Sequence, residues 1–470
     1  MPAAAPLAGD LPLHETYRRA DPVAAPGLCS RYQFRVPSPS ARIVSRSGVP
    51  DARGSGSAPA TIGNTVIVRV ATELRFASLH LRLAPELIAA SNADYLIFPA
   101  PSGERSSLSS PLYTGAYSAD LPSRPGDAQV LRLDLGESGL WWIARSFSFA
   151  ATTSLPDWGP GVGEGLVLGR STAGLPRIEA ATWRALGGGL VRARWFGGVA
   201  IESRFFDRVR DNDLRSVAGL RVSYERPSWT VGLARTVMDG SRGGPMRAAL
   251  QPLARTASDS VMELLSADFL WRNTAAGSLA WLELARQQPV RTLQDLTLMP
   301  QEGLALRVGA SQRIAESAKA VWRLSAEATR LDQPAERTGR APRDLYTSQT
   351  VPQGWTHRGR PLGAGLGPGG QRQMIALDRE GVRWRLGGFL ERARWNDDAL
   401  YREFLAYQNR HDVTLQGGVR VGGRLPNGPQ LFISLSAGKR LNYLFQNASF
   451  LAGYRTDDVS VAELSLTLTP

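Results

Sequence analysis

Hydrophobic and polar residues alternate along most of the chain that follows Gly63. In the segment TVIVRVATELRF, Val66 and Val68 fall on one face of an extended strand, and Arg69 falls on the other. The segment SLHLRL repeats this alternation in the opposite phase, which predicts a bulge or a tight bend between the two. Because successive side chains of a strand point to opposite faces, a period of two predicts half-buried β-strands.

Short turn signals separate several of these strands, and longer polar stretches separate others. The segment LRVSYERPSWTVGLAR predicts a hairpin that turns at residues 225–228. The dipeptide Asn427-Gly428 predicts a second tight turn. Polar loops are expected near 236–260 and 330–378.

The pattern predicts an all-β chain of roughly fourteen to eighteen strands, with arginine-bearing inner faces and aliphatic or aromatic outer faces. Alternation alone leaves two architectures open, a soluble sandwich and a transmembrane barrel. A sandwich seldom reaches this length without a domain break. Short turns combined with long loops favour a large antiparallel transmembrane β-barrel.

The N-terminal part differs in composition from the rest. Residues 1–62 are rich in Pro, Ala, Ser and Gly, so we expect an extended segment there and the barrel at 63–470. The first residues lack the basic and apolar regions of a signal peptide. We expect that a signal sequence is missing from the given sequence or that its start is misplaced. The sequence contains no run of about 18 apolar residues, so we do not expect a transmembrane helix.

The chain is strongly basic, with a net charge of +13, and Lys319 and Lys439 are its two lysines among 55 basic residues. Such a charge suits a nucleic acid, an acidic glycan or an anionic membrane surface. The arginines are scattered singly, unlike those of a DNA-reading helix, so we expect no nucleic-acid partner. With Cys29 alone and four widely spaced histidines, we expect neither a disulfide, nor a metal, nor a cofactor.

The stretch LPDWGPGVGEGLVLGRS, residues 155–171, has glycine at every second position from Gly159 to Gly165. A phosphate loop needs a Lys-Ser/Thr pair after its last glycine, and a dinucleotide fingerprint needs a third glycine where Glu164 stands. A nucleotide site is therefore not expected. On a barrel strand these glycines would leave one face bare, and we expect a lumen-filling loop or Trp158 to pack there.

The same stretch resembles an element of a known family. Trp-Gly-Pro-Gly followed by Gly-Leu-Val-Leu is similar to the W-G-P-G…L-x-L-S element of the Wzi-type capsule assembly family. Three further stretches, 81–93, 210–247 and 358–363, resemble that family in the same order. The residues matched in the first and last elements are Asp157, Trp158, Gly159, Pro160, Gly161, Gly165, Arg358, Gly359, Arg360, Leu362 and Gly363.

The resemblance implies an outer-membrane β-barrel of about eighteen strands with a short N-terminal periplasmic segment. Members of this family are implicated in attaching capsular polysaccharide to the cell surface, as lectin-like binders and not as catalysts. The resemblance thus implies an outer-membrane location, contact with outer-membrane lipid and an acidic capsular polysaccharide as partner. We expect the protein to be a monomer.

Four residues near the last element are the candidate glycan-binding side chains. Arg358 and Arg360 suit uronic or phosphate groups, and the alternative is that they pair with acidic residues inside the barrel. Trp355 suits stacking on a sugar ring, and the alternative is a packing role. His357 lies between them in sequence.

Two other functions stay open from the sequence. A porin-like channel of the outer membrane would share the same architecture. An envelope hydrolase would need a nucleophile and a base, and the chain has no G-x-S-x-G elbow, so we do not expect an enzyme.

Overall fold

The computed structural model shows a chain composed almost entirely of β-strands. It describes residues 29–35, 39–95, 125–126, 128–154, 158–160, 164–203, 214–240, 261–287, 293–298, 303–333, 345–348, 350–403, 410–425, 428–445 and 458–469. Two short α-helices, α1 (Leu293–Leu298) and α2 (Asp397–Glu403), and a 3-10 turn at Tyr443–Phe445 complete the described elements. In this part of the chain we find no helix with the length and apolarity needed to span a membrane.

The strands follow one another along the chain with few other elements between them. In order they are β1 (Cys29–Arg35), β2 (Ser40–Ser47), β3 (Gly63–Arg69), β4 (Thr72–Ala77), β5 (Leu79–Leu83), β6 (Glu86–Ala90), β7 (Val130–Asp134), β8 (Gly139–Ile143), β9 (Phe147–Thr152), β10 (Arg177–Leu186), β11 (Gly189–Ile201), β12 (Leu214–Glu225), β13 (Trp229–Asp239), β14 (Val261–Asn273), β15 (Ser278–Gln287), β16 (Leu304–Ser317), β17 (Ala320–Arg330), β18 (Thr356–His357), β19 (Arg360–Pro361), β20 (Gln371–Gly381), β21 (Trp384–Trp395), β22 (Asp412–Arg424), β23 (Gln430–Leu441) and β24 (Val459–Thr469).

All strands except β18 and β19 belong to one antiparallel sheet of 22 strands. From β8 to β17 and from β20 to β24, each strand pairs with the next one along the chain. The last described strand, β24, pairs with β2, and β2 pairs with β3 on its other side. These pairings close the sheet into a barrel.

Four wall strands of this barrel are each made of two segments. The segments are β1 with β2, β3 with β4, β5 with β6, and β7 with β8, and the two segments of each pair with the two segments of a neighbouring wall strand. Counted once each, they reduce the 22 strands of the sheet to eighteen wall strands in the described ranges. The barrel and its expected number of strands are confirmed.

The two faces of the wall have the expected chemistry. On β7, Leu131 and Leu133 point outward and are each 77% exposed, while Arg132 between them points into the lumen. The same alternation recurs on β21, where Leu390 points outward and Glu391 inward. An outward apolar surface around a polar interior is the arrangement that lets a barrel cross a lipid bilayer.

The connections differ in length between the two ends of the barrel. At one end, called the turn end, the strands join through a few residues, as at 226–228 in the confirmed hairpin of β12 and β13. At the other, called the loop end, the connections are long, as between β9 and β10 or between β17 and β20. In outer-membrane barrels the short turns are periplasmic and the long loops extracellular.

The expected boundary between 1–62 and 63–470 does not hold. Strand β2 lies before residue 62 and is a wall strand, paired with β3 on one side and β24 on the other. The composition of 48–62, rich in Ser, Gly and Ala, obscured the alternation just before it, in which Arg42, Val44 and Arg46 point inward and Ile43 points outward.

Candidate functional site: a loop plug in the barrel

Three loop-end segments fold into the lumen and fill it. We call them together the plug: residues 48–62, the described part of 158–176, and the described part of 345–370. The second and third of these segments pack with inward wall residues around one buried apolar cluster. Its members are Trp158, Leu166, Val167, Leu168, Leu175, Phe196, Ala200, Val217, Ala234, Met238, Met262, Leu264, Ala285, Ala305, Leu331, Leu345, Tyr346, Val351, Trp355, Leu362, Ala364, Leu366, Ala393 and Trp395.

Trp158 fixes the second plug segment to the wall. Its ring meets Phe196 of β11 edge-on, with 5.2 Å between centroids. It also covers Gly219 of β12, where an added Cβ would approach the indole within 2.7 Å. Since any side chain at position 219 would displace the indole, this glycine is required by a close approach.

The glycine-rich stretch is a plug loop and not a wall strand, which corrects that expectation. Trp158 and Leu168 form an isolated bridge, and the backbone carbonyl of Trp158 lies 2.0 Å from where a Cβ on Gly165 would be. Gly159 has a φ of +142°, and Pro160 beside it is buried. The glycines therefore serve tight chain crossings. Asp157 and Gly161 lie outside the described residues.

Two buried aromatic side chains join the second and third plug segments. The Trp355 indole N–H donates to the carbonyl of Val167 at 2.8 Å. The Tyr346 hydroxyl donates to the carbonyl of Leu166 and accepts from the backbone N–H of Ala364. Burial raises the pKa of Tyr346 above its usual value, so the hydroxyl keeps its proton.

The Glu164 carboxylate joins all three plug segments. It accepts hydrogen bonds from the Gly54 N–H, from the Ser171 hydroxyl at 2.8 Å and from the Gly365 N–H at 2.9 Å. Charge-assisted hydrogen bonds are stronger than neutral ones. This carboxylate is thus the point where the three segments of the plug meet.

The predicted glycan-binding residues mostly lie in the interior of the plug. Trp355 and His357 are 0% exposed and Arg360 is 4% exposed. The Arg360 guanidinium donates to the carbonyls of Ala58 and Gly56 at 2.6 and 2.7 Å. Direct contact of these side chains with a glycan would require the plug to open.

Arg358 is the member of this group that keeps solvent contact. Its side chain is 27% exposed and forms an ion pair with Asp134 of β7. Pairing with an acidic residue inside the barrel was the alternative to glycan binding for this arginine. Its φ of +53° is in the left-handed region, next to Gly359 at +76°. The turn places Leu362 and Gly363 against the second plug segment, where the Gly169 N–H donates to Leu362.

His357 is a neutral hydrogen-bond acceptor. Its Nδ1 accepts from the Ile201 N–H at 3.0 Å, so the ring proton lies on Nε2. Burial and the nearby cations Arg358 and Arg215 hold the pKa of His357 well below its usual value. This imidazole therefore connects the plug to β11 without carrying a charge.

Arg215, which the sequence reasoning missed, is the main wall contact of the third segment. It is 1% exposed and donates to the carbonyls of Pro352, Gly354 and Thr356 at 2.7, 2.6 and 2.8 Å. Arg215 lies two residues before the inward Val217, so the alternation along β12 predicts that its side chain points into the lumen. No sequence pattern identifies its partners, which lie some 140 positions away.

Ion pairs connect the first plug segment to β21 of the wall. Arg53 pairs with Asp51 of the same segment and with Glu391 of β21, at 2.5 and 2.6 Å. Its guanidinium also lies 5.0 Å from the ring centroid of Trp395. The Arg53 charge holds the pKa of Asp51 below its usual value despite burial. Plug and wall are thus joined by ion pairs as well as by packing.

Comparisons with known proteins agree on the fold. No protein-family model matches the sequence, and no curated protein matches it. The carbohydrate-binding β-barrel Wzi of Escherichia coli, an outer-membrane protein involved in group 1 capsule assembly, is 13% identical, with a TM-score of 0.61 over 92% of this chain and 84% of that chain. OpdK of Pseudomonas aeruginosa, solved with vanillate, is 10% identical, with a TM-score of 0.43 over 94% and 100%.

OccAB3 of Acinetobacter baumannii is 9% identical, with a TM-score of 0.47 over 92% of this chain and 98% of that chain. At such identities the likeness concerns the fold alone. The chain has the fold of outer-membrane β-barrels.

Proposed function

We propose that this protein is an outer-membrane barrel that binds an acidic polysaccharide non-covalently at its loop end and so holds it at the cell surface. The observation that carries the proposal is the plug. Its buried apolar cluster includes inward residues of every wall strand from β11 to β16 and of β21. A lumen filled by packed side chains suits binding better than passage.

The charge of the chain supports an acidic partner. Its net charge is +13, and nearly all basic residues are arginines, whose guanidinium groups match carboxylates with two parallel hydrogen bonds. Wzi, the barrel with the TM-score of 0.61, is described as carbohydrate-binding and involved in capsule assembly. The proposal carries that class of ligand over to this chain.

The experiment compares polysaccharide binding with conductance for the same purified protein. Reconstituted in liposomes, it should bind a soluble polyuronate saturably, with affinity that falls as salt rises, and should leave neutral dextran unbound. In planar bilayers it should show no steady ionic current. A steady current without polyuronate binding would instead support the porin-like channel and overturn the proposal.

A further inference from the structure

The lipid-facing wall near the loop end carries two cations on strands that are separated by one other strand. Strand pairing places Arg392 of β21 opposite Leu415 of β22, and Leu415 opposite Lys439 of β23. Arg392 shares the outward face of Leu390, and Lys439 shares that of Leu435. Both cations therefore point away from the lumen, on the membrane side of the barrel.

A depression lies directly below these cations, toward the turn end. The next outward row contains Leu390, Gly417, Ala437 and Ala462 on four adjacent strands. Three of these four residues are small, so the wall surface is recessed there. A cleft of about 550 Å³ occupies this place, and its lining includes Ile375, Leu390, Leu415, Gly417 and Ala437, with Arg392 and Gln373 at its upper edge.

We propose that this cleft binds a phosphorylated glycolipid of the outer leaflet, with an acyl chain in the recess and a phosphate between Arg392 and Lys439. The inference takes the barrel to lie in an outer membrane, as proposed above, and does not depend on which polysaccharide it binds.

The spacing of the two cations fits one phosphate group. They are separated by a single strand, and neighbouring strands lie ~4.8 Å apart, so their Cα atoms are about 10 Å apart. Their long side chains can converge on a group between them. Basic residues next to an apolar membrane surface are a recognised way to bind anionic lipid headgroups.

The neighbouring outward positions leave this charge in place. The row of Arg392 contains Gln373, Leu415, Lys439 and Ser460, and none of these described residues is a carboxylate. Arg392 contacts Gln373 through its guanidinium at 2.9 Å, which orients it across the upper edge of the cleft. Glu391 also lines the cleft, but its carboxylate accepts from Arg53 and Arg372 on the lumen side. The outward side of the site thus combines an apolar recess with positive charge.

The test uses the purified full-length barrel and bisphosphorylated lipid A as the probe. The double variant Arg392→Gln/Lys439→Gln should retain at least tenfold less lipid A than the wild-type protein, as counted by native mass spectrometry. The matched control is Lys319→Gln/Arg379→Gln, which removes two cations near the turn end and should retain lipid A normally. Equal retention by the two double variants would overturn the proposal.

Two further comparisons separate the lipid from its parts. Dephosphorylated lipid A should bind at least tenfold more weakly than lipid A, and millimolar inorganic phosphate should not displace bound lipid A. Displacement by inorganic phosphate would mean that only a free anion site exists, and would refute the acyl contact.

The recess itself is tested by filling it. Ala437→Leu should reduce lipid A retention, because the added side chain occupies the acyl site. Ala326→Leu, at an exposed outward position on β17 in the same row but outside the cleft lining, should leave retention unchanged. Unchanged retention in both variants would contradict an acyl chain in the cleft.

Discussion

Individual buried polar side chains hold the plug in the lumen. Arg215 is the clearest case, because one guanidinium satisfies three backbone carbonyls of the third plug segment. Such a group is costly to remove, since three carbonyls of the segment lose a charged donor at once. The stability of the plug therefore depends on a few wall residues that never contact solvent.

Arg215→Met should loosen the plug while the barrel wall persists. We expect the free energy of plug unfolding to fall by about 2–4 kcal/mol, because several charge-assisted hydrogen bonds are lost together. Limited proteolysis of the folded barrel should then cut within 345–370, where the wild-type protein resists. Lys319→Met, at an exposed turn-end cation, is the control and should resist as well. Equal resistance of the two variants would contradict this role of Arg215.

His357 should make the plug sensitive to acid. Its pKa in the folded state is well below the usual 6.5. Below about pH 6.5 the unfolded chain therefore binds a proton that the folded chain does not, and stability falls as pH falls, by up to ~1.4 kcal/mol per pH unit. Above that pH both states are neutral and the effect is absent.

The measurement is the thermal unfolding midpoint of the wild-type protein and of His357→Gln between pH 8 and pH 5. Glutamine keeps an acceptor for the Ile201 N–H and has no proton to gain. We expect the unfolding temperature of the wild-type protein to fall as the pH decreases below 6.5. The difference in unfolding temperature between the two proteins should therefore become smaller. Parallel pH curves would show that His357 is not the group involved.

At the scale of strands and loops, the sequence predicted the wall much better than the plug. Alternation is a local property, so the hairpin of β12 and β13 and the outward valines of β3 could be predicted from a few residues. The plug is made by long-range contacts, such as Trp355 with Val167 at a separation of 188 residues. No local pattern encodes such a contact, so the backbone partners of Trp355 and Arg360 could not be predicted, although an interior position was one of the two alternatives for each.

The glycine stretch shows the same limit in one loop. Its regular spacing resembled a strand, but the glycines are required by crossings of Trp158, Gly165 and neighbouring backbone. From the sequence, a bulky group is expected to pack against the glycines, and Trp158 is one of the two candidates. It did not indicate that the stretch leaves the wall.

Glu164→Ala should separate the three plug segments from one another. The N–H groups of Gly54 and Gly365 would lose their acceptor, at a cost of about 1–3 kcal/mol for the buried N–H of Gly365. Hydrogen exchange at these two amides should accelerate at least tenfold, while exchange in the wall strands stays slow. Glu316→Ala, at an exposed turn-end carboxylate, is the control. Unchanged exchange at both amides would contradict a joining role for Glu164.

At the scale of the whole molecule, the wall can form without the plug. The eighteen wall strands pair mostly with their chain neighbours, and the outward face is apolar, so the barrel does not need the plug to close. The ends of β17 and β20 show this directly, because Arg330 and Gln371 are paired partners across the whole loop between them. A short turn at that place would preserve every wall strand.

Replacing residues 331–370 with a four-residue Gly/Ser turn should give a folded barrel with an open lumen. We expect a steady ionic current in planar bilayers where the wild-type protein gives none, because the third plug segment and its apolar contacts are gone. Folding is checked by heat-dependent mobility on gels, and the control replaces the turn-end residues 318–319 with Asn-Gly. A folded variant without current would mean that the first two plug segments seal the lumen alone. That result would contradict the central place given to the third segment, whose contacts with Arg215, Glu164 and Val167 join it to both wall and plug.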